Sequence, residues 1–295
     1  MRWEGQRESD NVDDVRGAGG RRMPGLGGGG RKLGLGTVVI ALVGGWLLGV
    51  NPLTLLGMLG GGGAPMEMSQ PDTGSPQAAG EKDPSLQFVS VVLADTEDVW
   101  GNVFKQGGQA YQQPRMVVFR GSYPTACGQG DAAMGPFYCP GDRKVYLDLS
   151  FFDTLRQRLG APGDFAQAYV VAHEVGHHVQ NLLGVTDKVD ALRGQISERR
   201  MNALSVKVEL QADCFAGVWA KHSQQSKNWL EQGDLEEALN AAAQIGDDRL
   251  QSQAGQSVRP ESFTHGSSAQ RVSWFKRGAE SGSLKSCNTF EASEL

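Results

Sequence analysis

Hydrophobic residues beyond position 84 recur mostly with the period of an α-helix. Residues 85–106 place apolar side chains three and four positions apart, the spacing of a helix with one buried face. The same spacing predicts helices over residues 151–159, 161–184, 187–222 (one helix or a broken pair), 234–250 and 267–280. Two short runs, residues 115–120 and 144–148, favour strands around a turn-rich loop. Helices with one small sheet predict an α+β fold.

The first 84 residues have a different pattern. No charged residue occurs from Leu33 to Met66, and the apolar stretch 33–59 is longer than the roughly 20 residues that cross a bilayer. It is also longer than the apolar region of a signal peptide, and no obvious cleavage site follows it. We therefore predict a transmembrane helix over 33–59, between a disordered tail (1–32) and a flexible linker (60–84) rich in Gly, Pro, Ser and Gln.

Charge predicts the orientation of this segment. Lysine and arginine crowd the residues before the apolar stretch, and none occurs between it and Lys82. By the positive-inside rule, the N-terminus is expected in the cytoplasm and a domain spanning 85–295 outside it, on a single-pass membrane protein. The formal net charge of −5 and the lack of a basic patch interleaved with aromatics argue against nucleic-acid binding.

The most specific chemical signal is His-Glu-x-x-His within residues 171–180. On a helix, His173 and His177 lie one turn apart on the same face and can bind one metal ion. Glu174 is then placed to take a proton from a metal-activated water, as in zinc peptidases. Asp164 is a candidate N-cap for this helix and Gly184 a candidate stop. The alternative is a surface helix that carries two histidines by chance.

A second helical stretch offers a third ligand. Glu209 and Asp213 are again four residues apart. Glu209 is predicted to bind the metal, and Asp213 to accept the outer N–H of a ligating histidine, which fixes the tautomer of that ring. Taken alone, the same pair could be two solvated acids on a polar helix face.

The combination of His-Glu-x-x-His (173–177) with Glu-x-x-x-Asp (209–213) resembles the gluzincin peptidases. The chain is more similar to the bacterial family labelled "putative neutral zinc metallopeptidase", whose pattern matches residues 1–12, 135–140, 145–148, 173–180, 209–217 and 264–275. This resemblance covers nearly the whole chain and implies a membrane peptidase with one Zn²⁺. It also suggests that residues 144–148 form an edge strand above the metal, which pairs with substrate backbone.

The four cysteines bear on whether the domain lies inside or outside the cytoplasm. An even number in an exported domain predicts disulfides. Cys127 and Cys139 bracket a short loop and are the natural pair, which leaves Cys214 with Cys287. The absence of Cys-x-x-Cys spacing argues against a thiolate zinc site.

His265 is a further catalytic candidate. It lies in Thr-His-Gly-Ser-Ser before a predicted helix, and a hydrolase of this type needs a group that stabilises the developing oxyanion. The alternative is a loop histidine that caps its neighbours.

The predicted function is metal-assisted hydrolysis of peptide bonds in a peptide or protein substrate. Two alternatives stay open: a membrane-tethered scaffold with a structural metal site, and an amidase acting on cell-wall peptides through the same chemistry. The sequence leaves the natural substrate and the oligomeric state undetermined.

Overall fold

The computed structural model describes residues 1–17, 83–292 and 295. The strands in chain order are β1 (Val12–Asp14), β2 (Arg115–Phe119), β3 (Ser122–Thr125), β4 (Gly128–Asp131), β5 (Phe137–Cys139) and β6 (Lys144–Asp148). The helices are α1 (Pro84–Gln106), α2 (Ser150–Gln157), α3 (Asp164–Leu182), α4 (Val185–Asp190), α5 (Glu198–Lys227), α6 (Asp234–Gln244), α7 (Asp247–Gln253) and α8 (Ser268–Ser281). Short 3₁₀ turns cover Ala132–Met134, Pro260–Ser262 and Leu284–Cys287. The predicted α+β class is confirmed.

Helix boundaries differ from the predictions where the chain turns. The region predicted as 187–222 is a broken pair, α4 and α5, and the region predicted as 234–250 breaks at Gly246, whose backbone is extended. Asp164 is the first residue of α3 and not its N-cap, because the N-cap is Gly163 at φ 117°. Gly184 follows the end of α3 in the left-handed conformation, as expected of a stop signal.

The larger sheet has the strand order β1-β2-β6-β5. β1, β2 and β6 are parallel, and β5 runs antiparallel to β6. β6 is therefore an interior strand, and the expectation that residues 144–148 form an edge strand is wrong. The edge on this side is β5, because β6, the later strand in the chain, lies between β2 and β5. The small β3–β4 sheet stands apart from this ladder.

Three helices form the core around the His-Glu-x-x-His segment. α5 packs against both α3 and α8. Gly176 allows α3 to approach α5 closely: a Cβ there would lie 3.0 Å from the carbonyl oxygen of Ala212. Phe165 stacks on Trp219 at 5.7 Å between ring centroids, and both rings are buried. This packing fixes the register between the two helices that carry the predicted metal ligands.

Residues 1–15 belong to the same compact unit as Ser85–Leu295. β1 adds to the sheet beside β2, with Asp13 opposite Val117. The α-amino group of Met1 lies 2.9 Å from both carboxylate oxygens of Asp164. The prediction of a disordered tail therefore does not hold for these residues. A strand of only three residues, paired with a strand far away in the chain, leaves no periodic signal in the sequence.

No helix within residues 1–17 and 83–292 is long and apolar enough to cross a bilayer. The predicted transmembrane helix (33–59) and nearly all of the predicted linker (60–84) lie outside the described residues. The pairing of β1 with β2 nevertheless bears on the predicted topology. One membrane crossing between residues 15 and 85 would put these strands on opposite sides of the bilayer. The charge-based prediction of a cytoplasmic N-terminus and an external domain would separate two strands that pair in this fold.

Both predicted disulfides are present. Cys127 bonds Cys139, closing the β3–β4 hairpin onto β5, with a Cα–Cα distance of 5.8 Å. Cys214 in α5 bonds Cys287, with a Cα–Cα distance of 5.6 Å. The second bond attaches the C-terminal segment to the helix that carries Glu209 and Asp213.

Candidate metal centre

His173, His177 and Glu209 come together between α3 and α5. The Nε2 atom of His173 lies 3.1 Å from Glu209 Oε2, and the Nε2 atom of His177 lies 3.5 Å from Glu209 Oε1. One ligand atom from each residue lies within 4.8 Å of the others. The i, i+4 spacing aligns the two imidazoles, and the packing of α5 brings the carboxylate to them.

The outer nitrogen of each ring has its own acceptor. His173 Nδ1 lies 2.8 Å from Asp213 Oδ1, and His177 Nδ1 lies 2.9 Å from Gln180 Oε1. Because both partners present acceptor oxygens, each ring donates from Nδ1 and keeps its Nε2 lone pair for a metal. Asp213 is the acceptor that the sequence predicts. Gln180, one turn after its histidine on the same helix, was missed.

Asp213 is itself held by two further buried side chains. Arg271 donates from Nε to Oδ2 over 2.9 Å and from Nη2 to Oδ1 over 3.0 Å. The hydroxyl of Tyr169 donates to Oδ1 over 2.5 Å. Burial alone would raise the pKa of Asp213, but the charges of Arg271 and His173 and their hydrogen bonds lower it to about 2. The carboxylate therefore stays ionised and can orient His173.

A neighbouring carboxylate raises the pKa of each ring. Burial alone would lower the pKa of His177, but Glu209, helped by Glu174 and Gln180, raises it to about 9. The pKa of His173 is also raised, against the effect of burial, chiefly by Asp213 and then by Glu209. Without metal, the His177 ring accordingly holds a second proton at neutral pH, which a metal ion would displace.

Glu174 is buried, with 8% of its surface exposed, one residue after His173 on α3. Its charge acts on the imidazole of His177. The carboxylate thus lies beside the metal-ligand group, where the His-Glu-x-x-His pattern predicts it.

His265 lies on a loop that Asp247 organises. One oxygen of Asp247, Oδ2, accepts the backbone N–H groups of Thr264 (2.7 Å), His265 (2.7 Å) and Gly266 (3.0 Å). The other, Oδ1, lies 3.2 Å from His265 Nδ1. Burial alone would lower the pKa of His265, but Glu209 and Asp247 raise it. The imidazole therefore lies within electrostatic reach of the metal-ligand group. Asp247 was not predicted, because its role depends on contacts between the start of α7 and a loop 17 to 19 residues later in the chain.

His178 has a different role from its neighbour. Its Nε2 donates to the carbonyl oxygen of Gln112 over 2.6 Å, and its Nδ1 accepts from the hydroxyl of Tyr138 over 3.0 Å. Asn181 also donates to the Tyr138 hydroxyl, over 2.9 Å. Burial lowers the pKa of His178 to about 4, so the ring is neutral. It fixes the edge strand β5, through Tyr138, against the second half of α3.

The donor set fits a zinc ion. Tetrahedral zinc with bonds of about 2.0–2.1 Å needs its ligand atoms about 3.3 Å apart. The two Nε2–Oε distances, 3.1 Å to Oε2 and 3.5 Å to Oε1 of Glu209, lie on either side of this value. Two imidazoles oriented by outer hydrogen bonds and one carboxylate match the ligands of catalytic zinc sites.

Comparison with known proteins agrees with this geometry. Residues 1–290 match the family described as "Putative neutral zinc metallopeptidase". The chain belongs to this family. The match includes residues 1–15, consistent with their place in the sheet of this zinc metallopeptidase fold.

Two relatives illustrate how far this zinc metallopeptidase family extends. "Uncharacterized protein YpfJ" of Escherichia coli (strain K12) is 52% identical over 295 residues, covering 98% of this chain and 99% of that protein. "Uncharacterized protein Rv2575" of Mycobacterium tuberculosis (strain H37Rv) is 42% identical over 219 residues, covering 71% of this chain and 73% of that protein. No solved structure matches the chain.

Proposed function

We propose that this chain is a zinc-dependent peptidase that hydrolyses internal peptide bonds. The observation that carries the proposal is the convergence of His173, His177 and Glu209 with the outer nitrogens of both rings already engaged. Within residues 1–17 and 83–292, this cluster supplies three protein ligands. A structural zinc site is usually closed by four, whereas a catalytic site keeps one position for water or substrate.

The protein groups divide the proton transfers of hydrolysis between them. A zinc ion held by His173, His177 and Glu209 would supply a water whose pKa is lowered to about 7. Glu174 accepts the proton of that water at its carboxylate and passes it to the leaving amine. With Nδ1 engaged by Asp247, His265 offers the N–H at Nε2 to the oxyanion that forms on the substrate carbonyl. Its raised pKa favours the charged imidazolium for this role.

The substrate backbone is proposed to pair with β5. This strand is the antiparallel edge of the sheet and is anchored to α3 by Tyr138. An edge strand offers unpaired N–H and C=O groups to an extended peptide with little demand on its side chains. Because β5 would bond to the main chain of the substrate, we expect the protein to accept short unfolded substrates of many different sequences.

The test of hydrolysis compares Glu174→Gln with the unmodified protein, both zinc-loaded. Both proteins should include residues 1–15, because residues 85–295 alone would expose the edge of β2 that β1 covers. We expect Glu174→Gln to keep one zinc per chain and to lose peptide turnover, while Glu236→Gln, at an exposed position on α6, keeps both. Mass spectrometry of a peptide library gives the cleavage sites. Full turnover by Glu174→Gln would refute the assigned base, and cleavage of wall fragments alone would favour the amidase alternative.

His265 is tested separately. His265→Gln is expected to retain zinc and to lower kcat/KM by about 10²–10³, as for removal of one oxyanion donor. The alkaline limb of the pH–rate profile is expected to move, because the charged donor is gone. An unchanged profile and rate would leave His265 as a loop residue capping its neighbours.

We further propose that residues 1–15 and 85–292 face the same oxidising compartment outside the cytoplasm. The two disulfides support that compartment, and the β1–β2 pairing supports a common side. All four cysteines of the chain are in disulfides, so single cysteines introduced at exposed Glu4 and Lys105 are unique free thiols. In intact spheroplasts, a membrane-impermeant maleimide is expected to label both. Labelling of only one position would overturn the proposal.

A further inference from the structure

A chain of hydrogen bonds continues from His177 into the protein. The His177 ring lies 2.9 Å from Gln180 Oε1, and Gln180 Nε2 lies 3.1 Å from Gln211 Oε1. Gln211 Nε2 in turn donates to the backbone carbonyl of Cys287 over 3.0 Å. These four residues, called the glutamine chain below, connect a predicted metal ligand on α3 with the C-terminal segment by way of α5.

The direction of the donors in the glutamine chain is fixed by carbonyl groups. Gln180 Nε2 also lies 2.6 Å from the backbone oxygen of Val208, which can only accept. The amide nitrogen of Gln180 must therefore face α5, and its oxygen must face His177. The Cys287 carbonyl sets the amide of Gln211 in the same way. His177 is consequently a donor at Nδ1, and Nε2, which faces Glu209, is the ring atom left for a metal.

Solvent does not compete with these contacts. Gln180 is fully buried and Gln211 is 7% exposed, so a water cannot easily replace either amide. A buried amide that loses its partner keeps the cost of desolvation without a compensating hydrogen bond. Each link in the glutamine chain therefore stabilises the orientation of the next.

The last link is held by a covalent bond. Cys287 ends the 3₁₀ turn Leu284–Cys287 and is bonded to Cys214, which follows Gln211 by three residues on α5. The disulfide thus keeps the Cys287 carbonyl next to the Gln211 side chain. A second contact of the same segment, from Thr289 Oγ1 to the Lys207 carbonyl over 2.7 Å, does not involve this carbonyl.

We propose that Gln180 and Gln211 are positioning residues for the metal ligand His177, and that the Cys214–Cys287 disulfide maintains metal affinity through the Cys287 carbonyl. The inference rests on the metal site of the proposed function but not on peptide hydrolysis. It assigns to a disulfide that supplies no metal ligand a role in metal binding, in addition to closing a long loop.

The experiment measures zinc affinity by chelator competition on the full-length protein. Gln180→Ala is expected to weaken zinc binding about 10- to 100-fold, the usual effect of removing an outer partner of a ligating histidine. Gln180→Glu, which keeps an acceptor for His177, is expected to recover part of the loss. Gln244→Ala serves as the matched control, because this buried glutamine contacts Asn240 on α6 instead. We expect the control to bind zinc as the unmodified protein does.

The disulfide is tested by a double-mutant cycle. Cys214→Ala/Cys287→Ala and Gln211→Ala are each expected to weaken zinc binding, and their combination to add little, because both act through one contact. Removing the other disulfide with Cys127→Ala/Cys139→Ala is expected to leave affinity unchanged. If the cysteine variant does not fold, Gln211→Ala tests the same contact. Additive losses in the cycle would refute the link to the disulfide.

A spectroscopic readout separates positioning from general destabilisation. With Co²⁺ in place of zinc, a rotated His177 ring is expected to change the visible absorption of the folded Gln180→Ala variant, whereas Gln244→Ala is expected to leave it unchanged. Wild-type zinc affinity in Gln180→Ala, or an equal loss in Gln244→Ala, would overturn the inference. A protein that binds zinc normally but cleaves no peptide would refute only the proposed function.

Discussion

Arg271 grips Asp213 with two hydrogen bonds, over 2.9 and 3.0 Å, although 58 residues separate them. Both side chains are almost completely buried. The carboxylate oxygen that accepts from Arg271 Nη2 also lies 2.8 Å from His173 Nδ1. Arg271 on α8 therefore orients the His173 ring on α3 through the carboxylate of Asp213 on α5. It also keeps this carboxylate ionised inside the core.

Replacing Arg271 tests this relationship. Arg271→Met is expected to lower the free energy of unfolding by about 3–5 kcal/mol, because it leaves a buried carboxylate without its cation. Zinc affinity is expected to fall as well, since a protonated Asp213 no longer fixes His173. Lys276→Met, at an exposed position of the same helix, is expected to change stability by less than about 0.5 kcal/mol. Denaturant titration checks both variants, and equal stabilities would contradict the assignment.

Zinc binding is expected to release protons at neutral pH. His177, with a pKa of about 9 in the metal-free protein, carries a proton at pH 7 that must leave before Nε2 can bind a metal. Apparent zinc affinity should therefore rise with pH. The contribution of His177 to this rise should end above about pH 9, where the ring has already lost its proton. Calorimetry in buffers of different ionisation enthalpy counts the protons. Metal binding without proton release at pH 7 would contradict the close approach of Glu209 to the ring.

Burial of neutral His178 predicts acid sensitivity. Between its ordinary pKa of 6.5 and about 4, the unfolded chain binds a proton at this residue and the folded chain does not. Stability is therefore lost as pH falls through this window, by at most about 3 kcal/mol at roughly 1.4 kcal/mol per pH unit. With a chelator present, the free energy of unfolding of His178→Gln should depend less on pH between 7 and 4.5 than that of the unmodified protein. Tyr138→Phe keeps the buried ring, so it should retain the pH dependence of the unmodified protein.

Close packing of α8 on α5 predicts that Gly278 cannot be replaced by a residue with a side chain. A Cβ at Gly278 would lie 1.9 Å from the backbone oxygen of Cys214, and backbone cannot move aside as a side chain can. Gly278→Ala is expected to lower the free energy of unfolding by about 3 kcal/mol or more. Gly101→Ala is the control: its Cβ meets nothing within 4 Å inside α1, so it should stabilise the fold by about 0.5–1 kcal/mol. Thermal unfolding of the two variants compares them, and similar shifts in Tm would contradict this packing.

The sequence by itself determined the features that depend on short-range spacing. The i, i+4 periods of His173–His177 and Glu209–Asp213 fix each pair on one face of its helix, and helical periodicity located both helices. The cysteine spacing indicated both disulfides. These predictions succeed because a helix places neighbours one turn apart whatever the remainder of the chain does.

Only the tertiary structure decided which distant groups complete the site. Tyr169 and Asp247 have ordinary local patterns, and their roles arise from contacts between elements that are distant in the chain. The position of β5 outside β6 and the pairing of β1 with β2 likewise depend on strands of three residues, too short for a periodic signal. Hydrogen bonds between elements are set by packing of whole surfaces, and no short stretch of sequence contains that information.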